Sequence, residues 1–255
     1  TEIKKLGVLG SGLMGHGITY VSALAGLEVV MTDATQKNAD GGLSRIEMIL
    51  NEGLKLGRTT KEKIDATLGC ITATNDYDKL SDCDLIIEAV FEDRDLKGKV
   101  TGQAEKVMDS NGVFASNTST LPITGLAEKS IRPEKFIGLH FFSPVHKMKL
   151  VEIIKGDETN DETIATAFDF VLKIRKIPIV VNDSRGFYTS RVFSTYPNEG
   201  LALLAEGNSP QEIESAGKKA GMPVGPLAVI DEVNIGLVAG IRNQTRKDLA
   251  AEGKK

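Results

Sequence analysis

The chain reads as an α/β protein: a doubly wound, mostly parallel sheet with a helical hairpin insertion, followed by a smaller all-helical region. Three observations lead there. The first 33 residues run strand, glycine loop, helix, strand. Apolar runs of strand length then alternate with helical stretches as far as residue 181. Beyond Asp183 no convincing strand remains and helical spacing continues alone, so a boundary is expected there, dividing residues 1–183 from 184–255.

Each element has a local cause. Residues 6–9 form an apolar run long enough for a buried parallel strand and too short for a helix. Gly10, Gly12 and Gly15 follow as G-x-G-x-x-G. In that pattern the first glycine permits a tight turn, the second lets the backbone approach a pyrophosphate, and the third lets the next helix pack close to the strand. A helix over 13–25 would aim its N-terminal amides at that anion, and Gly26 ends it. A strand over 29–31 delivers Asp33, 18 residues after Gly15, where a carboxylate can accept hydrogen bonds from an adenosine ribose. With 26 glycines in the chain, the bland reading gives these three to a turn and Asp33 to a helix cap. The order of strand, glycines, helix, strand and acid within one βαβ-sized unit favours a dinucleotide site.

The stretch from Thr35 to about Cys70 has helical spacing, with Leu43, Ile46, Ile49, Leu50 and Leu54 on one side. Gly57 breaks it, and a second helix over 60–68 completes a hairpin whose threonines can cap it. Arg45, Lys55, Arg58, Lys61 and Lys63 on this hairpin read first as a solvated face and second as phosphate contacts. Strands are then expected over 70–73, 85–90 and 113–115, with a helix over 94–108. Ligands of such sheets lie beyond the carboxyl ends of the strands, which draws attention to Glu92, Lys97, Ser116, Asn117, Thr118 and Ser119. Strands over 136–142, 150–154 and 177–181 follow, the first two as an antiparallel pair that brings His140 near Glu152. A helix over 161–175 separates the second and third. Helices over 186–206, 210–220 and 231 to about 250 complete the chain, with a rigid loop at 221–226.

Composition narrows the function. With 41% hydrophobic and 26% charged residues, the 255-residue chain has an ordinary globular balance. A net charge of −4 and the absence of a long basic run argue against a nucleic-acid partner. No apolar stretch approaches the roughly 20 residues that cross a bilayer. Two cysteines, Cys70 and Cys83, offer neither a disulfide framework nor metal spacing. Because the chain opens directly into its first strand, no signal or transit peptide is expected unless an upstream segment precedes it, and a cytoplasmic protein without a metal is expected.

His140 is the most informative single residue, because imidazole ordinarily titrates near pH 6.5 and suits proton transfer at neutrality. Glu152 across the hairpin could accept its second N–H, fix the tautomer and stabilise the cation formed as the base takes a proton. A histidine on an apolar strand is equally what a satisfied core residue looks like. His16, in the first turn after the glycines, and His146, in the hairpin loop, read as exposed rings.

The segments Gly-Ser-Gly-Leu-Met-Gly at 10–15, Ser-Asn-Thr-Ser at 116–119, Gly-Leu-His-Phe-Phe-Ser-Pro-Val at 138–145, Met-Lys-Leu-Val-Glu at 148–152 and Arg-Gly-Phe-Tyr-Thr-Ser-Arg at 185–191 resemble, in order and spacing, the L-3-hydroxyacyl-CoA dehydrogenases of fatty-acid β-oxidation. The resemblance covers nearly the whole chain. It implies a Rossmann-type NAD domain, a helical domain that dimerises, an acyl-CoA substrate between them, and membership, for some relatives, in a larger multifunctional polypeptide. Carried over by position, it implies His140 as base, Glu152 as its orienter and Ser119 as a contact to the substrate oxygen. It implies Gly10, Gly12, Leu13, Met14, Gly15, Asp33, Glu92, Lys97 and Asn117 as cofactor contacts. Ser190 and Ser143 stand where the family usually has Asn, which alters two positions expected to meet substrate. A dehydrogenase of a small 3-hydroxy acid and a non-catalytic NAD-binding protein are the alternatives. The helical region is shorter than the family implies, and its apolar stripe Val233, Ile235, Leu237, Val238 and Ile241 is expected to need a partner surface.

Overall fold

A computed structural model describes residues 3–233 together with Gly236, Gly240, Asn243, Arg246, Ala250 and Gly253. The chain divides into two compact units, Thr1–Phe187 and Tyr188–Lys255.

In the first unit β1 (Lys5–Leu9), α1 (Leu13–Leu24) and β2 (Glu28–Thr32) form the opening βαβ unit. The hairpin of α2 (Gln36–Lys55) and α3 (Lys61–Gly69) follows, and the Thr35 and Thr60 hydroxyls cap these helices by accepting from Asn38 N and Lys63 N. Then come β3 (Ile71–Thr74), β4 (Leu85–Glu88), α4 (Arg94–Ala104), β5 (Val113–Ser116), α5 (Ile123–Ala127), β6 (Phe136–Phe141), β7 (Leu150–Lys155), α6 (Asp161–Lys173) and β8 (Ile177–Asn182). One eight-stranded sheet has the order β3-β2-β1-β4-β5-β6-β7-β8, and every pair is parallel except β6 with β7. The chain winds outward from β1 to β3 and returns on the other side of β1, so the strand order reverses between β1 and β4. That reversal opens a crevice at their carboxyl ends, where doubly wound sheets bind ligands.

Side chains alternate across the sheet as the period of two requires. Leu85 and Ile87 pack on one face with Ile18 and Val21 of α1 and Phe170 of α6, while Ile86 packs on the other with Val100 and Ala104 of α4 and Ile123 of α5. Both faces are therefore covered, which explains why the central strands read as continuous apolar runs.

The second unit contains α7 (Thr189–Ala205), α8 (Pro210–Lys219) and α9 (Pro226–Val233). Ser209 and Glu212 form a reciprocal capping box at the start of α8. The Tyr196 hydroxyl of α7 donates to Val224 O at 2.9 Å, and Gly200 lies against the Pro226 ring, where a Cβ would come within 2.7 Å.

Several expectations are corrected. The helix expected from 231 begins five residues earlier, at Pro226, because proline is favoured in a first helical turn, where its missing N–H goes unused. The helix expected over 186–206 begins at Thr189, since Gly186 and Phe187 both adopt positive φ. The helix expected to reach 108 ends at Ala104, and α5, too short to show a period, was not expected. On α2 the buried face runs through Ala39, Gly42, Ile46 and Leu50, leaving Leu54 exposed. His16 is buried rather than exposed. The stripe Ile235, Leu237, Val238 and Ile241, and the Val233 side chain, lie outside the described residues.

Candidate active site

The glycine loop is shaped by contacts that only glycine allows. Gly10 has φ +95, and a Cβ there would meet Ala89 O at 2.7 Å, so β1 can turn tightly against the chain leaving β4. At Gly15 a Cβ would lie 1.7 Å from Gly10 O, whereas at Gly12 it would meet nothing within 4 Å. Gly15 is thus required by the packing of α1, and Gly12 faces open space at the helix N-terminus. An anion can approach the backbone there.

Asp33, just after β2, faces this loop. Its Oδ2 accepts from the Ser11 amide at 2.8 Å and the Ser11 hydroxyl at 2.7 Å, and its Oδ1 accepts from Ala34 N at 2.8 Å and Asn38 Nδ2 at 3.0 Å. Burial works against its charge, but these hydrogen bonds outweigh it and hold the carboxyl below its ordinary value. His16 donates from Nδ1 to Gly12 O at 2.6 Å, reinforcing the helical bond from its own amide, and burial lowers its pKa. Leu13 is exposed and Met14 half-buried in the first turn of α1. Arg45 Nη1 reaches Ser11 O at 3.3 Å, while Lys55, Arg58, Lys61 and Lys63 are exposed.

Past β4 lies an ion network. Lys97 of α4 is buried, and its Nζ meets Glu88 Oε1 at 2.9 Å, Glu88 Oε2 at 3.0 Å and Glu92 Oε2 at 3.3 Å. The Ser116 hydroxyl donates to Glu88 as well. Glu92 Oε1 in turn accepts from the Thr118 hydroxyl at 2.5 Å, Ser119 N at 3.2 Å, Thr120 N at 3.1 Å and the Thr120 hydroxyl at 2.9 Å. Burial raises the Glu92 pKa, but Lys97 and these donors outweigh it, so the carboxylate stays ionised. Glu92 thereby shapes the turn that carries Ser119, whose hydroxyl has no partner among the described residues. Glu88 was missed at the sequence level because it looks like the last residue of an apolar strand; a lone charge in that run was the available signal.

Asn117 ties β5 to β6, its Oδ1 accepting from Phe141 N at 2.9 Å. One residue before Phe141, His140 stands opposite Glu152 in the antiparallel register. Glu152 is fully buried and His140 is 6% exposed, and His140 Nδ1 meets Glu152 Oε2 at 2.7 Å. The ring packs against Phe142 and Phe187, with centroids 4.5 and 5.9 Å away. Nδ1 faces the carboxylate as donor, and Nε2 is the ring nitrogen that no described residue binds. Ser143 is exposed in the loop after Phe142, and Ser190 lies in the first turn of α7 in the second unit.

The glycine loop, the Glu92 turn, Asn117 and His140 thus lie along the carboxyl ends of the adjacent strands β1, β4, β5 and β6. The sequence pattern of the NAD binding domain of 3-hydroxyacyl-CoA dehydrogenases matches residues 5–184, and that of their C-terminal domain matches 186–255. The chain belongs to the 3-hydroxyacyl-CoA dehydrogenase family. NAD is the cofactor of that first domain, and the open backbone at Gly12 with the pre-oriented Asp33 carboxylate fits it. Among its relatives, the fatty acid oxidation complex subunit alpha of Shewanella sp. (strain W3-18-1) is 42% identical over 99% of this chain and 36% of the relative's own length. The chain therefore spans little more than a third of the curated relatives it matches. Among solved structures it is similar to (S)-3-hydroxybutyryl-CoA dehydrogenase PaaH1 from Ralstonia eutropha, 35% identical with a TM-score of 0.94 over 98% of this chain and 89% of that one. FadB2 of M. tuberculosis is 31% identical with a TM-score of 0.92, again over 98% and 89%. Among the described residues of this family member, no helix is long and apolar enough to cross a membrane and no group of three or more His, Cys, Asp or Glu could hold a metal. Cys83 is buried, and burial pushes its thiol up to about 12, which leaves it an inert core residue.

Proposed function

We propose that the protein oxidises L-3-hydroxyacyl-CoA to 3-oxoacyl-CoA, with His140 as general base and Glu152 as its orienter. The buried 2.7 Å contact between His140 Nδ1 and Glu152 Oε2 carries this reading. NAD, when bound, supplies the acceptor for the hydride leaving the hydroxyl carbon. His140 Nε2 takes the hydroxyl proton, and the Glu152 carboxylate stabilises the imidazolium that results. Ser119 contacts the substrate oxygen with its unpartnered hydroxyl. Gly10, Gly12, Leu13, Met14 and Gly15 receive the pyrophosphate and Asp33 the adenosine ribose, while Glu92 and Asn117 line the path between glycine loop and His140. Lys97 acts through Glu92, since its amine is already committed to two carboxylates. Ser143 and Ser190 are the positions assigned to acyl-CoA contacts.

The helical unit also serves association. Val192, Phe193, Leu201 and Leu204 of α7 are large apolar side chains more than a third exposed, a surface suited to a second copy of the chain. The larger oxidation subunits among the relatives support a place within a longer polypeptide.

The test of the activity is absorbance at 340 nm. NADH should be consumed with acetoacetyl-CoA and not with free acetoacetate. Equal rates would assign the protein to small 3-oxo acids, and binding of NADH without turnover of either would make it a non-catalytic binder.

A further inference from the structure

Lys176, between α6 and β8, is a charged side chain in a place that normally excludes one. It is only 8% exposed and forms no ion pair among the described residues. Instead its Nζ donates to two backbone carbonyls of the loop joining β6 to β7, those of Val145 and, at 2.6 Å, Met148. Burial lowers its pKa. Taking an ammonium out of water without an anion is costly, so its binding to this loop is a contact the fold retains against its electrostatic preference.

The backbone is shaped to deliver it. Helix α6 ends with Arg175 at φ 59, a left-handed conformation usually left to glycine, and Lys176 N returns to Val171 O at 3.0 Å. This termination turns the chain by Lys176 toward the loop, and Ile177 N then bonds Lys149 O at 2.8 Å. The loop itself is a tight turn, with Lys147 N and Met148 N both donating to Pro144 O. From the other side it is wedged by α1. A Cβ at Gly17 would come within 2.8 Å of Val145, and the His146 ring meets Tyr20 edge-on at 6.1 Å. Residues 142–149 begin two positions after His140 and end three before Glu152.

We propose that Lys176 is a positioning residue for the reaction, a strut that fixes the loop between the two strands of the His140–Glu152 pair; this rests on the function proposed above. Without the strut the loop stays covalently in place but swings, and both His140 and the neighbouring Ser143 lose their fixed geometry. Displacements of about 1 Å at a reacting group can cost on the order of 10²-fold in rate.

The experiment compares Lys176→Met and Lys176→Gln with the unmodified protein in three measurements: kcat with acetoacetyl-CoA and NADH, the NADH Kd, and tryptic cleavage after Lys147 and Lys149 followed by mass. The expected result is a kcat lowered between about 10- and 100-fold, an NADH Kd within about twofold because the glycine loop is untouched, and cleavage at least about tenfold faster. Whichever variant folds decides. A variant cut faster without loss of kcat, one losing kcat without faster cleavage, or one unchanged in both would overturn the proposal. Should neither fold, hydrogen exchange on the unmodified protein decides: the amides of residues 145–149 should exchange at least about 100-fold slower than in free peptide, and exchange at the free rate would overturn it. An unmodified protein inactive on acetoacetyl-CoA would defeat the functional reading alone, because the cleavage comparison tests the strut without any turnover.

Discussion

His140 and Glu152 meet because two antiparallel strands put them in register. His140→Gln is expected to lower turnover by about 10²–10⁴-fold, the usual contribution of a general base, with NADH binding nearly unchanged. Glu152→Gln should do comparable damage, and near-normal turnover in either variant would remove the pair from the mechanism. Asp33 is expected to set cofactor choice. Its carboxylate, already held by Ser11 and Asn38, would face a 2′-phosphate with like charge, so NAD should be strongly preferred over NADP and Asp33→Ala should narrow the gap. Equal catalytic efficiency with both cofactors in the unmodified protein would refute this. The depressed Asp33 pKa has a stability consequence as well. Because the folded value lies below the unfolded one, of about 3.9, its contribution is whole above the unfolded value and is lost as pH falls through the folded one. Ser11→Ala should therefore shrink the loss of melting temperature between neutral and acid pH, which a pH series of thermal melts measures.

At the scale of an element, the β1–α1 turn separates two demands that look identical in a glycine pattern. A methyl at Gly15 collides with Gly10 O, so Gly15→Ala must push α1 off the sheet, at a cost of at least about 1–3 kcal/mol. A methyl at Gly12 meets no protein atom. Gly12→Ala should keep the melting temperature of the unmodified protein and lose NADH affinity, whereas Gly15→Ala should lose both. Calorimetry and fluorescence titration of the pair would check it, and an unaltered NADH affinity in Gly12→Ala would place the pyrophosphate elsewhere. The end of β4 follows a similar logic, since Glu88 gives up a strand position to anchor Lys97, and Lys97 then holds Glu92 beneath the Ser119 turn.

For the molecule as a whole, large apolar side chains are exposed at separate places in the sheet unit, such as Met48, Leu172 and Ile177, whereas α7 carries four of them, Val192, Phe193, Leu201 and Leu204, on one helix. With Phe193 and Val192 half exposed, self-association is the expected outcome. Light scattering at micromolar concentration should report a dimer or larger species, and Phe193→Lys should shift it toward monomer. A clean monomer for the unmodified protein, with no binding of a hydrophobic dye, would show that α7 needs no partner.

Wherever cause and effect lie within one period of the chain, the sequence alone was decisive. The strand–glycine–helix unit, the apolar runs of the buried strands, the threonine caps of α2 and α3 and the facing of His140 and Glu152 across a short hairpin all follow from local spacing. Tertiary structure decided what depends on partners distant in the chain. Ser11 orients Asp33 from 22 residues away, Ser116 reaches Glu88 across 28, and Lys176 reaches Val145 across 31. The short α5 also escaped local reading, because an element of one or two turns shows no period. A lysine inside the fold is legible only once the sheet has closed around it, since burial is a property of the whole packed chain and not of any window of its sequence.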